Sequence, residues 1–337
     1  MSIVLITGGA GFIGKRLALS LRGAGHSVAV FDSLQSQVHP DPDRTVAELK
    51  HAGVSFTLGN VLDAAALAEA ITAANAGIVV HLAAETGTGQ SYDLPAHYCD
   101  VNVTGTARLI EALRAASREG VDVRRVLLAG SRAVYGEGAC RDRDGREVTA
   151  VPRQSADLAA GDFAPKDANG CPLDPVPSCA GTTVPAPASV YASTKLMQEY
   201  LLRQGLEQSG IDTAILRLQN VYGAGQSLHN PYTGVLSIFA QQLLDGKTLN
   251  IYEDGEIVRD FVHVSDVVAA FHRLCEIPEV PDETFDIGSG TGATILEVAR
   301  TMIAALGLEG ERITITGQFR PGDISYAVAD ISAAKTA

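Results

Sequence analysis

Positive charge is in short supply. There are 26 Lys and Arg against 39 Asp and Glu, for a formal net charge of −13. Non-specific nucleic-acid binding needs a basic face, so no nucleic-acid partner is expected. A phosphorylated small ligand is still compatible, because a few placed arginines and a helix N-terminus can hold one. Long apolar runs are also missing, and no stretch could span a membrane. The opening Met1–Gly14 segment has no basic n-region, which argues against a signal peptide. Cysteine is sparse, with Cys99, Cys140, Cys171, Cys179 and Cys275 irregularly spaced. Free thiols in a reducing cytoplasm are the expectation. No internal repeat is visible. What remains is ordinary for a globular chain: 337 residues, 46% apolar and 19% charged, enough for one large or two intimate domains.

Short apolar segments alternate with helical patterns. Ser2–Thr7, Ser27–Phe31, Ile78–Leu82, Arg125–Ala129 and Thr213–Leu218 read as strands, and Phe12–Arg22 as a helix. This alternation predicts an α/β fold of Rossmann type, a doubly wound parallel sheet with helices on both faces. Residues 1–218 would form that domain. Residues 219–337 would form mainly a smaller C-terminal substrate-binding domain, with parts returning to the sheet. The stretch 137–187 is rich in Pro, Gly, Asp and Cys and reads as a long loop insertion.

Gly8, Gly11 and Gly14 form G-x-x-G-x-x-G between the first strand and the first helix. The first glycine turns the chain, the second admits a pyrophosphate and the third allows close helix–strand contact. Asp32 closes the next strand at the spacing of a ribose-binding carboxylate, or alternatively caps a helix. A carboxylate accepts ribose hydroxyls and repels a 2′-phosphate, so NAD is expected rather than NADP. Further along, Tyr191-Ala-Ser-Thr-Lys195 puts a phenol and an ammonium on one helix face. A nearby positive charge favours the phenolate, which makes Tyr191 a candidate general base and Lys195 its tuner.

With those two motifs the chain resembles the extended short-chain dehydrogenase/reductase family, and within it the nucleotide-sugar epimerases. The resemblance rests on Thr7–Gly14 (with Phe12 and Ile13), His81-Leu82-Ala83-Ala84 and Asn102–Thr106. It continues through Ser131–Gly136, Tyr191/Lys195, Arg217–Gly223, Arg259–Val264 and Arg320-Pro321-Gly322-Asp323. It implies that Phe12, Ile13, Leu82, Ala83, Ala84, Asn102, Tyr191 and Lys195 join the glycines around NAD. Asn60-Val61 would meet the adenine, with Asn60 standing where the family usually has Asp. Ser131 would complete a catalytic set with Tyr191 and Lys195. Asn220 and Arg259 would meet the sugar diphosphate, and Arg132, Arg320 and Asp323 would lie near the substrate. Bland alternatives are a strand-end serine, a turn asparagine and solvated arginines.

Similar 4,6-dehydratases place an Asp-Glu pair where Arg132 and Ala133 stand here, so elimination of water lacks its acid and base. The implied reaction is C4 inversion of a nucleotide-diphosphate sugar through a transient 4-keto intermediate. Ser131–Gly138 followed by the insertion looks like the branch acting on dTDP-L-rhamnose, whose product would be dTDP-6-deoxy-L-talose. The alternatives are a UDP-glucose/galactose-type epimerase, a net reductase or dehydrogenase, and a non-catalytic NAD-sensing protein. Related insertions carry two C-x-x-C pairs. Here Arg143 and Asp174 replace the second cysteine of each, so no zinc or other metal is expected. The resemblance also implies a homodimer through the helices near Val101–Ala116 and Tyr191–Leu202. By the resemblance, a final helical segment usual in the family is expected to be missing, through truncation or a reduced substrate domain.

Overall fold

The computed structural model describes residues 1–226, 234–280, 283–310, 312–320 and 322–337. Pro321, in the Arg320–Asp323 motif, lies outside these residues. Seven strands form one parallel sheet: β1 (Ile3–Thr7), β2 (Ser27–Asp32), β3 (Ser55–Leu58), β4 (Ile78–His81), β5 (Arg125–Ser131), β6 (Asp212–Leu218) and β7 (Thr284–Ile287). Their spatial order is β7-β6-β5-β4-β1-β2-β3. The central strands β4 and β5 are buried at every residue. Helices cover both sheet faces, so these strands are near-continuously apolar instead of alternating.

The helices that matter here are α1 (Phe12–Gly23), α2 (Pro42–His51), α3 (Ala64–Ala74), α4 (Gly105–Arg118), α5 (Val190–Leu206) and α6 (Val264–Glu276). One core packs Leu17, Leu21, Val30 and Phe271 on one face of the sheet. The other packs Leu67, Ile71, Leu109, Leu113 and Leu202 on the opposite face. Helix starts follow local chemistry. Asp63 accepts the Ala65 and Ala66 amides at α3, and Ser189 accepts the Ala192 amide at α5. Register aligns Thr7 with Phe31 on one side and His81 on the other. Strand order therefore reverses between β1 and β4, which opens a crevice at their carboxyl ends.

Beyond Leu218 the chain builds a second sheet from Asn220–Tyr222, Val258–His263, Gly292–Thr294 and Tyr326–Ala327. A two-stranded ladder, Leu249–Ile251 with Ile313–Ile315, packs on a small core around Phe239, Leu243 and Ala299. Between these pieces β7 returns to the edge of the central sheet beside β6.

The insertion departs from the expected loop. Ala139–Arg141 pairs antiparallel with Glu147–Thr149 and with Asp174–Pro175, around a core of Cys140, Ala150 and Leu173. Strands of two or three residues are too short to show a period, so the sequence pattern concealed them. Among the described residues, no helix is long and apolar enough to cross a membrane.

Candidate active site

The glycine turn has no room for side chains. Gly8 has φ +68°, and a Cβ there would sit 2.6 Å from the Ala83 nitrogen. A Cβ on Gly14 would sit 2.5 Å from the Gly8 carbonyl oxygen. Gly11 caps α1, and no side chain satisfies the first-turn amides, which leaves them for an anion. The adjoining cleft, about 350 Å³, is lined by Gly8, Gly11 and Asp32, by Asn60 and Val61, and by Leu82, Ala83 and Ala84. Asp32 accepts the Ala10 amide on Oδ2 at 2.9 Å and the Leu34 amide on Oδ1 at 2.8 Å. His39 Nε2 also faces Oδ1 at 3.5 Å, while Oδ2 keeps a lone pair for a ribose hydroxyl. Asn60 is exposed and uses its Oδ1 on the Leu62 amide.

Two groups of expected cofactor residues lie off the cleft wall. Phe12 and Ile13 pack against the core at the start of α1, ahead of the buried Gly14. Asn102 is fully buried and ties the Glu85 backbone to Thr194 Oγ1, so it braces the β4 loop against α5.

Ser131 ends β5, and its Oγ accepts the Ala133 amide. Tyr191, in the first turn of α5, lines the same cleft as Ser131. Burial pushes the Tyr191 phenol up, while Ser131 and the Arg132 charge pull it back. Lys195 is buried one turn later, and desolvation lowers it to about 8. Its ammonium donates to the Ala129 carbonyl and to Gln198 Oε1, each at 2.8 Å. Behind it, Gln198 donates to Thr106, and Thr106 meets His81, which meets Thr7 of β1 at 2.7 Å. Burial, followed by the Lys195 charge, drives His81 down to about 3, so that ring is neutral. This polar chain fixes Lys195 relative to the glycine turn.

A second cleft, about 240 Å³, brings Ser131, Arg132 and Tyr191 together with Asn220, Arg259 and Asp323. Arg259 donates to Asp323 Oδ1 at 2.7 Å and to the Val258 carbonyl. Arg320 lies apart, exposed, with its guanidinium 4.7 Å above the Tyr252 ring. Gln219, which sequence reasoning passed over inside the Arg217–Gly223 motif, also lines the cleft. Among the described residues its buried Oε1 has no hydrogen-bond partner. Also unforeseen is Arg153, which is buried in the insertion. It pairs with Glu253 through two hydrogen bonds, of 2.7 and 3.0 Å, and donates to Glu137 at 3.1 Å and to the Asp323 carbonyl at 2.9 Å. Partners this far apart in sequence leave no local signal.

Cys140 is buried in the small sheet of the insertion, Cys171 is exposed and Cys179 is half-buried. Among the described residues, one group of His, Cys, Asp or Glu gathers closely enough for a metal: His26, His272 and Glu276. There the Ser2 amide donates to His26 Nδ1. That assigns the ring proton to Nε2, the atom facing Glu276, and takes away the ligand lone pair.

Sheet order, uncapped glycine turn and oriented acid define a Rossmann-type dinucleotide-binding enzyme. The NAD dependent epimerase/dehydratase family model matches residues 4–158 and 163–288. The chain belongs to that family, and it is an NAD-dependent nucleotide-sugar 4-epimerase by kinship. A dTDP-L-rhamnose 4-epimerase of Burkholderia thailandensis is 41% identical over 98% of this chain and 87% of its own. A UDP-glucose 4-epimerase of Mycolicibacterium smegmatis is 31% identical over 91% of this chain and 83% of its own. Among solved structures, a UDP-glucose 4-epimerase of Thermus thermophilus in complex with NAD superposes with a TM-score of 0.75. It is 27% identical and covers 99% of this chain and 92% of its own.

Proposed function

We propose that this protein inverts C4 of a nucleotide-diphosphate 6-deoxyhexose, converting dTDP-L-rhamnose to dTDP-6-deoxy-L-talose. The Ser131–Tyr191 pair in the sugar cleft carries this reading, with Arg132 and Ala133 where eliminating acids would be required. The 41% identical relative, named for that sugar, supports the substrate.

The glycine turn, Asp32 and the loop Leu82–Ala84 fit the dinucleotide, which when bound supplies a hydride acceptor and donor. Tyr191 takes the proton of the sugar 4-hydroxyl, and Ser131 steadies that oxygen. Asn220 and Arg259 would hold the diphosphate while the 4-keto ring turns over to offer the other face of C4 to the returning hydride, and Tyr191 gives the proton back to the O4 oxygen. Gln219 and Arg132 line the space in which the ring turns. Residues 1–218 with β7 serve the cofactor, and the remainder of 219–337 serves the sugar nucleotide. A homodimer through α4 and α5 is supported by the exposed Met197 and Tyr200 on α5. A cytoplasmic setting is supported by the five free cysteines.

The test is a product assay across dTDP- and UDP-hexoses without added cofactor. Deuterium at C4 should stay in the product. Tyr191→Phe should cost about 10²–10⁴-fold in kcat while NAD stays bound. One-for-one consumption of added nicotinamide cofactor would replace this reading with a net reductase.

A further inference from the structure

Three cations lie in or behind the sugar cleft, Arg132 and Arg259 in its wall and Lys195 behind Tyr191 on α5, and their engagements differ. Arg259 is engaged by Asp323 and by its neighbour's carbonyl, with further N–H donors left over. Lys195 points to the Ala129 carbonyl and Gln198. Arg132 lines the same cleft, and among the described residues no hydrogen bond or ion pair engages its guanidinium. The turn that carries it, Arg132–Tyr135, packs directly on α5, which carries Tyr191.

We propose that Arg132 tunes the catalytic base: its guanidinium, unpaired among the described residues, favours the phenolate of Tyr191 and complements Lys195. The proposal rests on Tyr191 being the proton carrier.

Every charged or titratable group around the phenol bears on this. Lys195 shares α5 with Tyr191 but directs its ammonium into the sheet. The Tyr98 ring meets Tyr191 edge-on at 6.3 Å and donates its hydroxyl to the Thr86 carbonyl. Arg259, Asp323 and Glu137 act on Arg132 itself. Of these groups, Arg132 is a cation in the wall of the cleft that Tyr191 also lines, and its charge pulls the phenol's pKa down. Burial and then Arg259 lower Arg132 to about 9, so it stays positive at neutral pH. An unpaired cation held next to another cation is stabilised when a phenolate forms nearby. The position also bears on outcome. A carboxylate there could take part in removing water from the ketosugar, whereas a guanidinium has no proton-accepting form at neutral pH.

The test needs no turnover. With no tryptophan in the chain, tyrosinate absorbance in the near ultraviolet is unobscured. Subtracting the pH titration of the Tyr191→Phe holoenzyme from that of wild type isolates Tyr191. The same subtraction in an Arg132→Met background should place its pKa higher by about one unit or more. Arg132→Lys should recover most of the difference. Arg132→Gln, a second uncharged variant, should repeat the rise if the methionine variant does not fold. An unmoved Tyr191 titration in the uncharged variants overturns the proposal. So does a shift that Arg132→Lys reproduces in full, since charge would then be irrelevant. If Tyr191 titrates normally in wild type and Tyr191→Phe keeps its activity, the fault lies with the proton carrier and not with Arg132.

Discussion

Lys195→Met should stabilise the cofactor-free protein at neutral pH while destroying activity. The ammonium is 4% exposed, and desolvation takes its pKa from 10.5 to about 8. At about 1.4 kcal/mol per unit, holding the charge inside costs about 3 kcal/mol. Methionine removes that cost and fills a similar volume. It also leaves the Ala129 carbonyl and Gln198 Oε1 without their donor, an opposing loss of about 1–3 kcal/mol. The net gain at pH 7 is therefore about 1 kcal/mol, and its pH dependence is the sharper signature. Between about 8 and 10.5 the unfolded chain binds a proton at this site that the folded chain does not. Wild-type stability should therefore rise with pH across that window, and the variant lacks this contribution. Urea unfolding of both proteins at several pH values, compared as a difference, cancels the other titrating groups. The variant's advantage should shrink by about 3 kcal/mol and become a deficit above the window. A difference that stays flat with pH would refute the account of Lys195 as a buried, strained charge.

The other expectations are more direct. Nucleotide released from the denatured protein should be NAD, and Asp32→Ala should narrow the preference for NAD over NADP; recovery of mainly NADP would overturn the role given to Asp32. Purified protein should contain no stoichiometric zinc, as metal analysis can establish, and about one zinc per chain lost in Cys140→Ser/Cys171→Ser would show that those thiols are ligands.

Much of this molecule could be read from local pattern. Five of the seven sheet strands stand within two residues of where apolar runs place them, because strands covered on both faces must be continuously apolar. The edge strand β3, with Ser55, Thr57 and Leu58 exposed, carries no such run. β7 sits among turns and short elements that mask it. The glycine turn and the Tyr191/Lys195 spacing were legible because each is a local geometric demand. Three features were not. Lys195 is held by a polar chain running through Gln198, Thr106 and His81 to Thr7, and its members come from separate helices and strands. Asn102 ties the Glu85 backbone to Thr194 in the interior, a long-range link that its local motif does not announce. The Arg153–Glu137–Glu253 cluster exists only once the insertion has folded back on the second sheet.

The return of β7 has a consequence for how the molecule holds together. Thr284–Ile287 can pair with β6 only after the chain has travelled through most of the second sheet. Cut after Leu218, the protein would leave β6 as a bare edge of a parallel sheet, with apolar side chains on both faces and a row of unpaired amides and carbonyls. The segment that builds the second sheet is in this sense spliced into the seven-stranded Rossmann sheet. The two parts should melt in one cooperative transition, and a fragment ending at Leu218 should aggregate in place of folding.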